Sequence, residues 1–289
     1  MQLIPRVYSV FFLLLAIWFI HQVDFNATLL MACVVIPFIA LSMVYEWKSP
    51  LVKAGLKEGE LKTDITSLLV VLVLTMGQNY LVHRYIFTAL NQGDGLSFFF
   101  NSPVAIRQLP FWAECTIAFL VYDFFFYWMH RIAHTVDPMW RLHAAHHSAD
   151  KVNYLNSNRI HPLDMIIRRI VPLVALLALG ISEKAFIFVG VLINILGPVS
   201  HFNINLKHGY LNYLIGTNEV HVWHHSVKLE EAKNYGITML WDHLFGTFYY
   251  PSDRRAPDRI GLVDESAYPT QSYVGQLLQP FRSTRQSQD

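Results

Sequence analysis

The chain has 289 residues, of which 53% are hydrophobic and 15% charged, with a mean hydropathy of +0.31. That balance is too apolar for an ordinary soluble domain of this length and indicates a membrane protein. A net charge of +1 leaves no basic footprint for nucleic acid, and the two cysteines, Cys33 and Cys115, lie in apolar stretches that suit neither a disulfide framework nor a thiolate metal site.

Residues 7–23 and 25–45 are two charge-free stretches, each long enough to cross a hydrocarbon core of roughly 30 Å with some tilt, and they read as a helical hairpin. A cleaved signal peptide is disfavoured for the first, because no small-x-small site follows Ile20 and a second span begins at once. Residues 65–82 make a third candidate span. Residues 109–129 make a fourth, which carries Glu114 and Asp123 and runs directly into the sequence HRIAH. The apolar run 170–200 is broken only at Glu183 and Lys184 after Gly180, so it reads as two apposed helices turning at GISEK. The expected fold is therefore all-α: a polytopic integral membrane bundle of six helices with a histidine-rich metal-binding cap.

The expected organisation is a hairpin and basic loop over 1–63, a third membrane helix and connection over 64–110, a histidine-bearing domain over 111–251, and a polar tail over 252–289, partly disordered from Ser266. The loop at 21–26 has no Lys or Arg, whereas the next connection carries Lys48, Lys53, Lys57 and Lys62, which assigns that connection to the cytoplasm. Following the spans, 130–169 and the chain from His201 onward fall on the same cytoplasmic face.

Nine of the histidines on those segments stand out: His130 and His134 in HRIAH, His143, His146 and His147 in HAAHH, His201 in SHFN, and His221, His224 and His225 in HVWHH. Within each cluster the spacing of three or four residues puts side chains on one helical face. One metal needs about four protein ligands, so nine imidazoles point to a binuclear centre. Ordinary core packing offers no reason to gather so many ionisable rings. His21, His83, His208 and His243 lack the spacing and read as bystanders, while His161 in RIHPLD stands between the two classes. Imidazoles suit iron, whose ferrous form activates dioxygen, and also zinc; HRIAH lacks the glutamate of the hydrolytic HExxH motif.

The pattern H-x3-H, H-x2-HH and H-x2-HH, together with RIHPLD, SHFN, NYG and WDxLFGT, resembles the fatty acid hydroxylase and sterol desaturase superfamily over about 111–251. That resemblance implies a helical membrane enzyme whose histidines hold two Fe ions, with Zn possible as purified, and which uses O2 and electrons to hydroxylate or desaturate a fatty-acyl, sterol or related lipid. Carried over residue by residue, it implies the nine clustered histidines as ligands, with His161 as a weaker addition. Relatives often have proline where Asn218 stands and arginine where His243 stands. Ether-lipid monooxygenation and hydroxylation of an aminolipid or carotenoid are alternatives of the same chemistry; a zinc hydrolase and a metal-binding or transport protein are rivals from other classes. Electrons would come from an external donor of reductase, ferredoxin or cytochrome type, since the chain has no haem, flavin or iron–sulfur motif of its own.

Metal-bound histidines usually donate their second N–H to a carboxylate or carbonyl. Asp123, Asp137, Asp150, Asp164, Glu219 and Asp242 are near enough in sequence to serve. Asp123 is the first choice, since it lies seven residues before His130 on the same helical face, and Asp242 in WDxLFGT is the second.

Overall fold

A computed structural model of the chain describes residue 33 and residues 36–52, 59–88, 106–251 and 253–282. Among them every regular element is helical, and the two β-contacts, Ile215 with Thr238 and Ser226 with Ile260, are isolated bridges. Helix α1 covers Ile36–Lys48, and α2 covers Glu60–Leu81 and continues as a π-helical turn over Val82–Phe87. Then follow α3 at Phe111–Thr135, α4 at Asp137–His147, α5 at Pro162–Ala178, α6 at Glu183–His201, α7 at Asn218–His224, α8 at Leu240–Leu244 and α9 at Tyr273–Leu278.

Two stretches among the described residues are long and apolar enough to cross a membrane, Glu60–Phe87 and Glu183–His201. They contain the expected third span and the second half of the 170–200 run. The expected span at 109–129 falls on α3, whose 25 residues are long enough but whose inward face carries buried Glu114, Asp123, His130 and His134. The first half of the run falls on α5, which has 17 residues. Residues 7–23, 25–32, 34 and 35 lie outside the described residues, and 36–45 fall on α1. Leu69, Val73 and Tyr80 on α2, and Leu163, Ile166, Ile170 and Val174 at helical spacing on α5, are exposed. Full burial of an aliphatic side chain is worth about 1.5–3 kcal/mol, and these half-exposed ones forgo a sizeable part of that in water, so these faces suit lipid.

Helix α3 is the central element and packs against α4, α5 and α6. Its Cys115 and Ala118 meet Leu176 and Leu177 of α5 and Phe188, Val189 and Ile195 of α6 in the main apolar core. The chain turns from α5 to α6 at Gly180, which takes φ 65°, a conformation a side chain would disfavour. Ser182 then caps α6 by accepting from the Ala185 amide, and its own N–H and O–H satisfy the buried Glu114 carboxylate at 2.6 and 3.0 Å.

Two buried ion pairs tie the start of α2 to the loop after α4: Arg159 donates to Asp64 at 2.7 Å, and Lys151 lies 4.0 Å from Glu60. Removing one member would strand a buried charge at a cost of about 3–5 kcal/mol. Of the polar tail from Ser266, residues 266–282 are described and dock on the bundle. Tyr268 is buried in a cluster with Trp140, Ala144, Ala145 and Leu262, and the Leu277 carbonyl accepts a hydrogen bond from His161. Tyr268 anchors the segment, and Gln276, Gln279 and Pro280 are buried with it.

Candidate metal centre

Four elements bring the clustered histidines to one place. His130 and His134 occupy successive turns of α3; His143, His146 and His147 form the last turn of α4; His201 ends α6; His221 and His224 lie on α7, with His225 just after it. All nine are buried. Two groups of four result, His130, His134, His143 and His224 in one, and His146, His201, His221 and His225 in the other, with the ligand nitrogens of each group within 4.8 Å of one another. The groups adjoin: the rings of His221 and His224 stack 4.9 Å apart across the boundary. The ninth, His147, lies between them, with ring centroids 4.4 Å from His225 and 4.7 Å from His134, and its Nε2 is buried without a hydrogen-bond partner.

The tautomers show that this donor set fits a cation. His130 Nδ1 donates to the Tyr235 carbonyl at 2.9 Å, His143 Nδ1 to the Asp164 carboxylate at 3.0 Å, and His224 Nδ1 to the Lys233 carbonyl at 2.8 Å. Those oxygens only accept, so each neutral ring keeps its proton on Nδ1 and its lone pair on Nε2. Yet His130 and His143 oppose Nε2 to Nε2 at 3.2 Å, as do His134 and His224, and His201 Nε2 lies 3.1 Å from the Nε2 atoms of both His146 and His221. For His130 and His143 both tautomers are fixed in this way, so two lone pairs face each other and repel unless a cation draws them together. Separations of this size match the edges of a coordination shell with metal–nitrogen bonds of about 2.1 Å.

Burial, and then the neighbouring rings, hold His130, His134, His146, His147 and His225 well below the usual imidazole range, so the set is neutral and ready to bind metal. Burial also lowers His143, against the opposing pull of Asp164. Asp164 itself would be raised by burial, but the Arg168 guanidinium and His143 outweigh that and keep it anionic. Arg168 grips it with two N–H groups at 2.7 and 2.8 Å.

Asp164 is thus the carboxylate on a histidine ring, and Asp123 and Asp242 act one step further out. Asp123 accepts from the Ile237 and Thr238 amides and from the Thr238 hydroxyl. Asp242 accepts from the Tyr235 and Gly236 amides, both at 2.9 Å, and from Thr247. Between them they suspend a strap, 233–238, whose Lys233 and Tyr235 carbonyls orient His224 and His130. Asn234 takes φ 68° there, and a Cβ on Gly236 would come within 2.3 Å of the Thr238 carbonyl oxygen, which explains the NYG sequence.

His161 stands apart from both groups. Its Nδ1 accepts from the Leu163 amide as the N-cap of α5 and its Nε2 donates to Leu277, so both nitrogens are engaged. Asp137 pairs with Arg141, and Glu219 accepts from the His208 amide and Asn212. Asn218, where relatives often have proline, donates to the Ile204 carbonyl and meets the His208 ring at 2.8 Å, pinning the start of α7. The carbonyl acceptors and Arg168 had no signal in the sequence, since the first are backbone and the second is one arginine of several.

Comparison with known proteins bears on the same residues. The fatty acid hydroxylase family model matches residues 115–247. An ornithine lipid hydroxylase of Rhizobium tropici is 32% identical over 176 residues, covering 60% of this chain and 52% of the relative. The alkylglycerol monooxygenase of Homo sapiens is 34% identical over 45% of this chain and 29% of its own length, and a methylsterol monooxygenase of Arabidopsis thaliana is 27% identical over 48% and 55%. The chain spans about half the length, or less, of these relatives. No solved structure matches it.

Proposed function

We propose, from the match of residues 115–247 to the fatty acid hydroxylase family model, that this chain is a membrane-bound oxidoreductase that oxidises a C–H bond of a lipid at two iron ions held by the nine clustered histidines. When bound, the iron pair supplies dioxygen chemistry, with O2 as co-substrate and electrons from a separate donor. The observation that carries the reading is the pair of adjoining four-histidine groups, with His147 between them.

The chain's own residues hold, orient and exclude. Asp164, Lys233 and Tyr235 fix the tautomers of His143, His224 and His130, and loss of such an acceptor typically lowers metal affinity 10–100-fold. Burial of every ring keeps bulk water away. The carboxylates nearest the site are occupied: Asp164 by Arg168 and His143, Glu219 by His208 and Asn212, and Glu231 by Ser226 and Arg254. HRIAH carries no glutamate at the general-base position of HExxH, which favours oxygenation over zinc-dependent hydrolysis.

The lipid class follows from the relatives, whose names specify an ornithine lipid, alkylglycerols and methylsterols. An aminolipid or ether lipid fits as well as a fatty acyl chain, and the product is an alcohol or an alkene. The site sits at the cytoplasmic membrane surface of a multi-pass bundle. Supporting this, the ion pairs Arg159–Asp64 and Lys151–Glu60 place the histidine loop beside the start of α2, directly after the lysine-bearing connection.

The test is turnover of iron-loaded protein in lipid with a reductase system under 18O2. The expected result is one labelled oxygen atom in a lipid alcohol, or an unlabelled alkene, with neither formed anaerobically. Turnover without dioxygen that takes oxygen from labelled water would move the chain to the hydrolases.

A further inference from the structure

Two cavities meet inside the bundle. A chamber of about 180 Å³ is lined by His130, His146, His201 and His221, and a groove of about 590 Å³ runs between α2, α5 and α6. They share four residues: Tyr122, Arg169, Ile193 and Asn194. The groove is walled by apolar side chains, among them Leu72, Met76, Leu173, Phe186 and Ile187. At 1.5 Å rise per residue, its wall from Leu72 to His83 on α2, like that from Glu183 to Asn194 on α6, is roughly 16 Å long. At its far end lie His83 and Glu183, 2.6 Å apart.

The two adjacent arginines at the junction differ. Arg168 is held by both oxygens of Asp164. Arg169 gives one N–H to the Thr75 hydroxyl at 2.8 Å, and among the described residues no carboxylate pairs with it. A guanidinium facing an apolar groove without a counter-charge is costly, and the cost is removed if an anion arrives with the ligand. A planar fork of N–H donors is suited to a carboxylate or phosphate.

We propose, on the lipid-oxygenase reading, that Arg169 binds the oxyanion, carboxylate or phosphate, of a lipid whose hydrocarbon chain fills the α2–α5–α6 groove, and so fixes which part of that lipid reaches the histidine chamber. The volumes agree with this direction, since the larger and apolar cavity takes the chain and the polar collar takes the charge. Glu183 at the opposite end already has His83 as partner.

The test is equilibrium binding to the purified full chain in neutral detergent, with palmitate, 1-palmitoyl-lysophosphatidate and methyl palmitate as probes. Wild type should bind one or both anionic probes at least about tenfold more tightly than the ester, and which of the two identifies the source of the oxyanion. Arg169→Gln should abolish that preference and leave ester binding unchanged, while Arg169→Lys should retain part of it. No preference in wild type, or a preference that survives in Arg169→Gln, would overturn the proposal. Gly190→Leu provides a second arm. A Cβ at Gly190, which lines the groove, meets nothing within 4 Å, so the larger side chain should fill the groove and weaken all three probes alike. Unchanged binding in Gly190→Leu would show that the chain does not occupy the groove. Binding is read without turnover, so a failure here leaves the oxygen-label test untouched, and the reverse also holds.

Discussion

At the scale of single residues, the separation of ligands from bystanders gives the sharpest expectations. Alanine at His146 or His224 opens a coordination shell and should lower metal content by about one ion per chain or more, with loss of activity. Alanine at His243, whose exposed ring lies tilted over Phe248 at 4.1 Å and meets the Tyr213 carbonyl, should change neither. His161→Ala should lower thermal stability by the value of an N-cap, about 0.5–2 kcal/mol, with metal content intact, and His161→Asn should restore the stability. A drop in metal content in His161→Ala would make His161 a ligand after all. Asp164→Asn removes the charge that orients His143 and leaves Arg168 unpaired, so metal affinity should fall 10–100-fold, as measured by competition with a chelator. The clustered histidines were legible because helical spacing alone places them on common faces. Asp164 was only one of six nearby carboxylates, since its partner His143 is reached through the fold and not along one helix.

At the scale of elements, the strap 233–238 couples residues that never touch metal to the rings that would. Gly236→Ala forces a Cβ against the Thr238 carbonyl and should destabilise the protein by about 1–3 kcal/mol while lowering metal affinity. Gly77→Ala on α2 meets nothing within 4 Å and should be neutral or stabilising by up to about 1 kcal/mol, as thermal unfolding with metal analysis would show. Equal effects of the two substitutions would remove the special status of the strap. Asp123 illustrates the reach and the limit of periodicity. Its position before His130 places it on the buried face of α3, but its partners are amides 114 and 115 residues away, at Ile237 and Thr238. NYG and WDxLFGT could be recognised as motifs, whereas the backbone carbonyls they position carry no side-chain signal. Helix α3 itself was read as a membrane span from its apolar run; its polar seam, which contacts the strap and the histidines, is what sets it apart from α2 and α6.

At the scale of the whole molecule, the arrangement of helices determines on which side of a membrane the site opens. Lys48, Val136 and Asp253 are exposed. Single cysteines at those positions, in a background lacking Cys33 and Cys115, should resist an impermeant thiol reagent in intact cells and react after permeabilisation. Reaction of Val136→Cys but not Lys48→Cys in intact cells would place the histidine face opposite the basic loop and contradict the shared cytoplasmic face. The central claim, that nine histidines form one binuclear centre, is tested most directly by metal stoichiometry: elemental analysis of folded, full-length protein from iron-supplemented cells, normalised to amino-acid content. Iron plus zinc should approach two ions per chain, and a folded preparation that saturates at one would contradict it.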